Sequence, residues 1–245
     1  MLSIVILTKN SADTLRLCLQ SVSWADEIVI VDSGSSDDSL TIAKEFTSKI
    51  YSETNWQGHG IQRNRALRYC QSDWVLMLDS DECVTAELAQ SIQAFVKNPG
   101  DYAVASIKRL HYFLGYPLKH GRWNDVVPRL FKRDSARYDE AWVHEQLLFK
   151  GQAKKLNSFV NHYSYNSIEQ VLEKMNRYTT QAAEKHVQRG KKTNFFKILW
   201  RSWWSFINSY FFHLGFLDGK AGYLVAKLDA DESYYRYLKL WNKTK

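Results

Sequence analysis

The chain has 245 residues, 45% of them hydrophobic and 24% charged, enough apolar material for one substantial domain with an appended element, which excludes a disordered or fibrous polymer. Its three cysteines, Cys18, Cys70 and Cys83, are an odd number without a C-x-x-C spacing. Neither a disulfide framework nor a zinc knuckle is indicated, and a reducing cytosol is the expected compartment. The net charge of +7 is unevenly placed: residues 185–245 hold 12 Lys or Arg against 4 Asp or Glu, a net of +8, which leaves −1 for residues 1–184.

The opening MLSIVILTKN has no basic leader and no cleavage-site pattern, so it reads as a first strand (residues 3–7) and not as a secretory signal. Residues 12–21 carry apolar side chains at helical spacing. EIVIVD (27–32) is a second buried strand, and residues 36–48 read as a helix with Asp37 and Asp38 in its first turn, where carboxylates suit the helix dipole. A third helix is expected over 60–69, the strand WVLML over 74–78 and a helix over 87–96, ended by Asn98-Pro99-Gly100. Short β-branched runs alternating with helices predict a layered α/β domain.

The middle changes character. Runs at 103–107, 126–131 and 146–149 suggest a mixed sheet holding an acceptor pocket, and beyond residue 162 the chain turns helical, over 168–189, 194–212 and 221–241. The most apolar stretch, 198–217, is interrupted by Arg201, Asn208 and His213, so no membrane-spanning helix is expected. Trp200, Trp203, Trp204, Ile207, Phe211 and Leu214 fall on one helical face, with Lys191, Lys192, Lys197 and Arg201 beside its start. Basic residues next to such a face suit an anionic membrane surface, and packing of the stripe against the rest of the chain or a second copy is an equal alternative; no nucleic-acid partner is expected.

In open α/β sheets ligands gather beyond the carboxyl ends of the strands. The residues there are Thr8-Lys9-Asn10, Asp32-Ser33-Gly34 and Asp79-Ser80-Asp81, all polar and suited to a nucleotide. Asp79 and Asp81 follow an otherwise apolar strand. On extended backbone their side chains leave the same face, so both are expected to reach one Mg2+ or Mn2+ that bridges a diphosphate. Asp32 is suited to accept from a base N–H or ribose hydroxyls, while Ser35 or Ser36 caps the following helix.

The TKN after the first strand, VDSGSSDDS after the second, the GHGIQRNRAL helix and LDSDE together resemble the family 2 glycosyltransferases of GT-A fold. That resemblance implies a nucleotide-diphospho-sugar transferase, with Thr8, Asn10, Asp32, Ser33, Arg63, Asn64, Asp79 and Ser80 around the nucleotide sugar and the metal on Asp81, with Asp79. Farther on, RLFKRDSARYDEAWVHEQL, NHYSYNSIEQVLEKMNRYTTQAAE and HLGFLDGKAGYLVAKLDADESYYRYLKLW look like the lipopolysaccharide core-type β-glucosyltransferases. The implied donor is UDP-glucose and the implied acceptor a lipid-linked saccharide. The pattern lacks the wider family's Glu-Asp dipeptide and Q-x-x-R-W, which unsettles the usual base assignment and argues against a processive synthase.

An inverting transferase needs a carboxylate to take the acceptor proton. Glu145, in Val143-His144-Glu145, is the expected base, with Asp139 and Glu140 as competitors. His162 is expected as a further metal ligand or a donor to the β-phosphate, although a lone histidine is more often structural. Arg129 is a candidate phosphate or acceptor contact. The expected division is a catalytic domain over 1–165, with a nucleotide-sugar half (1–100) and an acceptor half (101–165), and a helical extension over 166–245. The expected location is the inner face of the cytoplasmic membrane. A nucleotidyltransferase is disfavoured because LTKNSADTL has no glycine; a basic membrane- or nucleic-acid-binding module is the non-enzymatic rival.

Overall fold

The computed structural model describes residues 1–140 and 145–245. They form two compact units. The first comprises residues 1–109 and 126–162, the second 110–125 and 163–245. Residues 110–125, expected in the acceptor half of the catalytic domain, group with the helices.

In the first unit, β1 (Leu2–Thr8) pairs in parallel with β2 (Glu27–Asp32) and β4 (Trp74–Asp79), and β2 pairs in parallel with β3 (Ile50–Ser52). β8 (Val126–Lys132) runs antiparallel to β4, and β6 (Val104–Phe113) antiparallel to β8 with a bulge at Ala105/Ser106. The sheet then passes through β11 (Ala153–Tyr165) to β5 (Glu82–Val84), giving the order β3-β2-β1-β4-β8-β6-β11-β5. Strand period sorts the core into two layers. Val5, Val29, Val31, Val75 and Met77 cluster with Ala66 and Cys70 on one face. The alternating Ile4, Ile6, Ile30 and Leu76 are fully buried, as are Leu15 and Leu19 of α1 (Ala12–Ser21) and Leu88 and Ile92 of α4 (Ala86–Lys97).

β1, β2, β4, α1 and α4 fall where the sequence pattern puts them; the three-residue β3 was not expected, and α2, β5 and β11 also differ. α2 is only Ser39–Lys44, because Ser35 and Ser36 hydrogen-bond to Asp32 and Asn10 and do not cap it. β5 has three residues, too few to show a period. β11 has thirteen and was not expected, its lysines and asparagines having obscured the alternation. β9 (Ala136–Tyr138) and β10 (Leu147–Phe149) form a separate antiparallel pair, and α3 (His59–Leu67) packs on β1, β2 and β9.

In the second unit, β7 (Tyr116–Leu118) folds back on the end of β6. α5 (Ile168–Gln188), α6 (Phe195–Ile207) and α7 (Gly219–Lys243) follow, with a π-type turn over Asn208–Phe212 interrupting what the pattern predicts as one helix. Phe113, Leu118, Val171, Met175, Ala221 and Val225 are its core. Lys239 ties α7 to α5 by donating to Asn176 Oδ1 (2.7 Å) and to the hydroxyls of Thr179 and Thr180 (each 2.8 Å). The α6–α7 corner depends on a glycine: a Cβ on Gly222 would stand 1.8 Å from the carbonyl oxygen of Gly215. Gly222→Ala is expected to lower stability by about 1–3 kcal/mol, the usual cost of overpacking, read as a lower urea midpoint; an unchanged midpoint would show that the corner relaxes freely.

Candidate active site

Asp32 and Asp79 end β2 and β4 on either side of β1, in register with Thr8 and Leu7. Neighbouring strands lie about 4.8 Å apart, so the two positions are about 10 Å apart on one edge. The Asp32 carboxylate is buried and closes its own turn, accepting from the Gly34 N–H (2.9 Å), the Ser35 N–H (3.1 Å) and the Ser35 hydroxyl (2.5 Å). Gly34 has φ +92°, which a side chain rarely tolerates. Asn10, itself left-handed at φ 50°, accepts from the Ser36 N–H (2.8 Å), and its own N–H donates to Ser35 Oγ (2.9 Å). The strand ends after β1 and β2 are thereby locked together. Thr8 Oγ1 is buried without a hydrogen-bond partner among the described residues, a hydroxyl available to a ligand. Beside Asp32 lies a cavity of 440 Å3 walled by Leu40, Lys44, Thr47 and Tyr51 among others; Asp79 and Asp81 are not in its walls.

The chain turns at Ser80 and Asp81, between β4 and β5. The same-face geometry expected of Asp79 and Asp81 requires extended backbone, and the turn sends the two carboxylates to different partners. Asp79 accepts from Arg63 Nη2 on one oxygen and Arg129 Nη2 on the other, each at 2.6 Å. Asp81 faces His162 of β11, Oδ1 to Nε2 at 3.3 Å. Ser80 donates to Ser11 Oγ (2.8 Å).

Arg63 is the hub. Its guanidinium is buried, joins Asp79 to Glu145 through Nε (2.7 Å), and lies 5.4 Å from the centre of the Tyr138 ring. Among the described residues, Arg63 Nη1 and Arg129 Nε have no hydrogen-bond partner, and buried donors left in that state are costly unless a ligand meets them. Glu145 is thus brought to the strand-end carboxylate from 66 residues away in sequence. Val143 and His144, which complete its motif, lie outside the described residues. Asp139 accepts from the Gln146 N–H (3.1 Å), while Glu140 is exposed.

Asn64 and Arg129 have partners within the protein. Asn64 clamps β9, its amide donating to the Tyr138 carbonyl (2.8 Å) and accepting from the Tyr138 N–H (2.9 Å), so both of its ends are occupied by backbone. Arg129, expected as a phosphate or acceptor contact, is buried between Asp79 and Glu82. Sequence reasoning passed over Glu82, the third acid of LDSDE. It is fully buried, accepts from the Asp79 N–H (3.0 Å) and Arg129 (3.3 Å), and lies 3.7 Å from Arg109. It also passed over Gln62 of the α3 motif, which donates to Ser33 Oγ (3.0 Å). Full burial of an acid and an amide was the missing signal, and burial follows from the fold, not from the local pattern.

Electrostatics follow from this packing. Burial would raise the Asp79 carboxyl, but Arg129 and Arg63 outweigh it and hold it well below the usual range. Burial would lower His162, but the hydrogen bond and charge of Asp81 raise it. Burial pushes the Cys70 thiol up to about 12 and Cys83 to about 11, which keeps both protonated at neutral pH.

No three of His, Cys, Asp and Glu converge as metal ligands among the described residues. One or two protein ligands plus substrate phosphates is nonetheless a usual set for Mg2+ or Mn2+, and Asp81 with His162 fits that need.

Residues 3–150 match the model of glycosyl transferase family 2. The chain belongs to that family. The transferase is 30% identical over 263 residues to an uncharacterized glycosyltransferase of Rickettsia felis, covering 98% of this chain and 89% of the relative. It is 27% identical over 251 residues to the lipopolysaccharide core biosynthesis glycosyltransferase LpsC of Rhizobium meliloti, covering 96% and 93%. Among solved structures, TarS 1–349 of Staphylococcus aureus aligns at TM-score 0.48 and 17% identity, over 100% of this chain and 92% of that one. The transferase has the mixed sheet of a GT-A domain and a helical C-terminal region.

The central ion pairs make a test. In Arg129→Gln, Glu82 and Asp79 lose a buried partner, which is expected to cost about 3 kcal/mol or more. Asp79 is depressed in the folded state, so its contribution is full above the unfolded carboxyl pKa of about 3.9 and is lost as pH falls below it. Acid unfolding of Arg129→Gln, followed by circular dichroism, should therefore begin at higher pH than in the parent; coincident acid transitions would contradict the pairing.

Proposed function

We propose that this transferase is an inverting hexosyltransferase that moves a sugar, glucose by preference, from a UDP-sugar to a hydroxyl of a lipid-linked saccharide of the lipopolysaccharide core type. The observation that carries the reading is the Arg63 bridge between Asp79 and Glu145: a carboxylate is held by a buried cation beside the strand ends where a nucleotide would lie. The resemblance to LpsC supports the acceptor class, and a lipid-linked acceptor places the reaction at the inner face of the cytoplasmic membrane.

In this reading the nucleoside lies along the edge formed by Thr8, Asn10, Asp32 and Ser33. Asp81 and His162 hold Mg2+ or Mn2+, with Asp79 alongside. The ion, when bound, offsets the negative charge that develops on the departing diphosphate. The orphaned Arg63 Nη1 and Arg129 Nε supply fixed positive potential to the same oxygens without having to reorganise. Glu145 takes the proton of the acceptor hydroxyl as that oxygen attacks the anomeric carbon from the side opposite the diphosphate. The Arg63 Nε bond fixes one carboxylate oxygen of Glu145 and leaves the other for the substrate.

A panel of nucleotide sugars, with Mg2+, Mn2+ or a chelator, tests the reading. UDP-glucose should be consumed in a metal-dependent way and give a product of inverted anomeric configuration by NMR; consumption of no donor, or a retained configuration, would defeat it. Glu145→Gln should lower kcat by roughly 10² to 10⁴, the usual contribution of a positioned base, with donor affinity unchanged. Asp81→Asn should lose the metal-dependent part of turnover, and full activity in that variant would remove Asp81 from the metal site.

A further inference from the structure

We propose that α6 and the turn that follows it form an in-plane docking face for an anionic lipid bilayer. At 3.6 residues per turn, α6 divides into three arcs. Ile198, Ser202 and Ser205 face α7, the two serine hydroxyls donating to the carbonyls of Ala230 (2.9 Å) and Asp229 (3.0 Å). Lys197 and Arg201 occupy a second arc, and the Arg201 guanidinium lies 5.7 Å from the centre of the Tyr237 ring. The third arc, about half the circumference, is apolar and turned to solvent: Phe196 is 81% exposed, Trp200 57%, Trp203 53% and Trp204 41%. The expected stripe is corrected at one position, since Ile207 is half-buried where the π-type turn begins.

The rings make a continuous surface. Trp200 lies 5.2 Å from Trp203 and stacks on Trp204 at 6.2 Å, and Trp204 meets Phe212 at 5.7 Å. Phe211, Leu214 and Leu217 extend it past the helix, all exposed. Tryptophan and phenylalanine on one face with basic residues beside them is the composition of a helix lying at the headgroup level. None of the described helices is long and apolar enough to cross a membrane.

Charge selects the occupant. From Lys185 to Leu217 the chain carries six Lys or Arg and no Asp or Glu. A second copy related by a two-fold axis would set this acid-free basic segment against itself, whereas an anionic bilayer complements it. Single-stranded nucleic acid stacks its bases on individual aromatic faces interleaved with cations. Here the tryptophans cover one another and the helix's cations keep to a separate arc. This docking face deepens the reading of a lipid-linked acceptor and rests on it only for its biological sense, because binding to lipid vesicles requires neither donor nor turnover.

The test is cosedimentation of the full chain with phosphatidylcholine vesicles, with and without phosphatidylglycerol, together with quenching of tryptophan fluorescence by brominated lipid. Binding is expected only with phosphatidylglycerol, to weaken with salt, and to fall by roughly 100-fold or more when Lys191, Lys192, Lys197 and Arg201 are all changed to Gln. Trp200→Ser with Trp203→Ser should weaken it by about tenfold or more; if that variant loses helical circular dichroism, Phe196→Ser with Phe212→Ser decides in its place. No binding by the parent, equal binding by the variants, tight single-stranded RNA binding without vesicle binding, or a dimer that the tryptophan changes dissociate would each overturn the proposal. Transfer to a water-soluble acceptor, measured in parallel, separates failure of this face from failure of the transferase reading.

Discussion

The first unit is organised around one buried cation. Arg63 comes from α3, on one layer of the sheet, and its guanidinium joins the end of a central strand to a residue after the β9 region. An unpaired guanidinium in that position would be too costly to bury, so the Asp79 and Glu145 contacts are obligatory partners of the fold. Arg129 repeats the arrangement from β8, joining Asp79 to Glu82. Strand order brings these groups together: β4 lies beside β8, so the last residue of one and an arginine of the other share an edge.

This constraint explains a division of labour that adjacent residues would not suggest. Asp79 and Asp81 are two positions apart, yet one belongs to the arginine network and the other to His162, because the chain reverses at the intervening turn. Asp79 is kept ionised by fixed cations, which lets it act as a rigid element. Asp81 and His162 face each other, a carboxylate and an imidazole whose chemistry suits a divalent ion bound together with phosphate oxygens.

Much of the fold was legible because its signals are local. SIVIL, EIVIVD and WVLML are buried on both faces and read as continuous apolar runs, each followed by polar residues at its carboxyl end. The helices 12–21 and 87–96 announce themselves by period. What was hidden depends on distance in sequence. β11 pairs with β5 across more than 70 residues, and half its side chains are polar because only one end of it is well covered. The partners of Arg63 and Arg129 are likewise distant, so the sequence could nominate Glu145 as a base without revealing what holds it. Asn64 shows the converse: it sits within a recognisable motif beside Arg63, but its amide serves the backbone of β9.

The central claim is that Arg63 makes Glu145 competent by fixing it beside Asp79, and a double-mutant cycle on the transfer rate tests it most directly. If Arg63 acts mainly through the base, Arg63→Gln will slow transfer much less in the Glu145→Gln background than in the parent, the remainder being what Arg63 Nη1 contributes at the diphosphate. Rate losses that simply multiply would contradict the account, because independent contributions are incompatible with an arginine whose catalytic service is to hold the base.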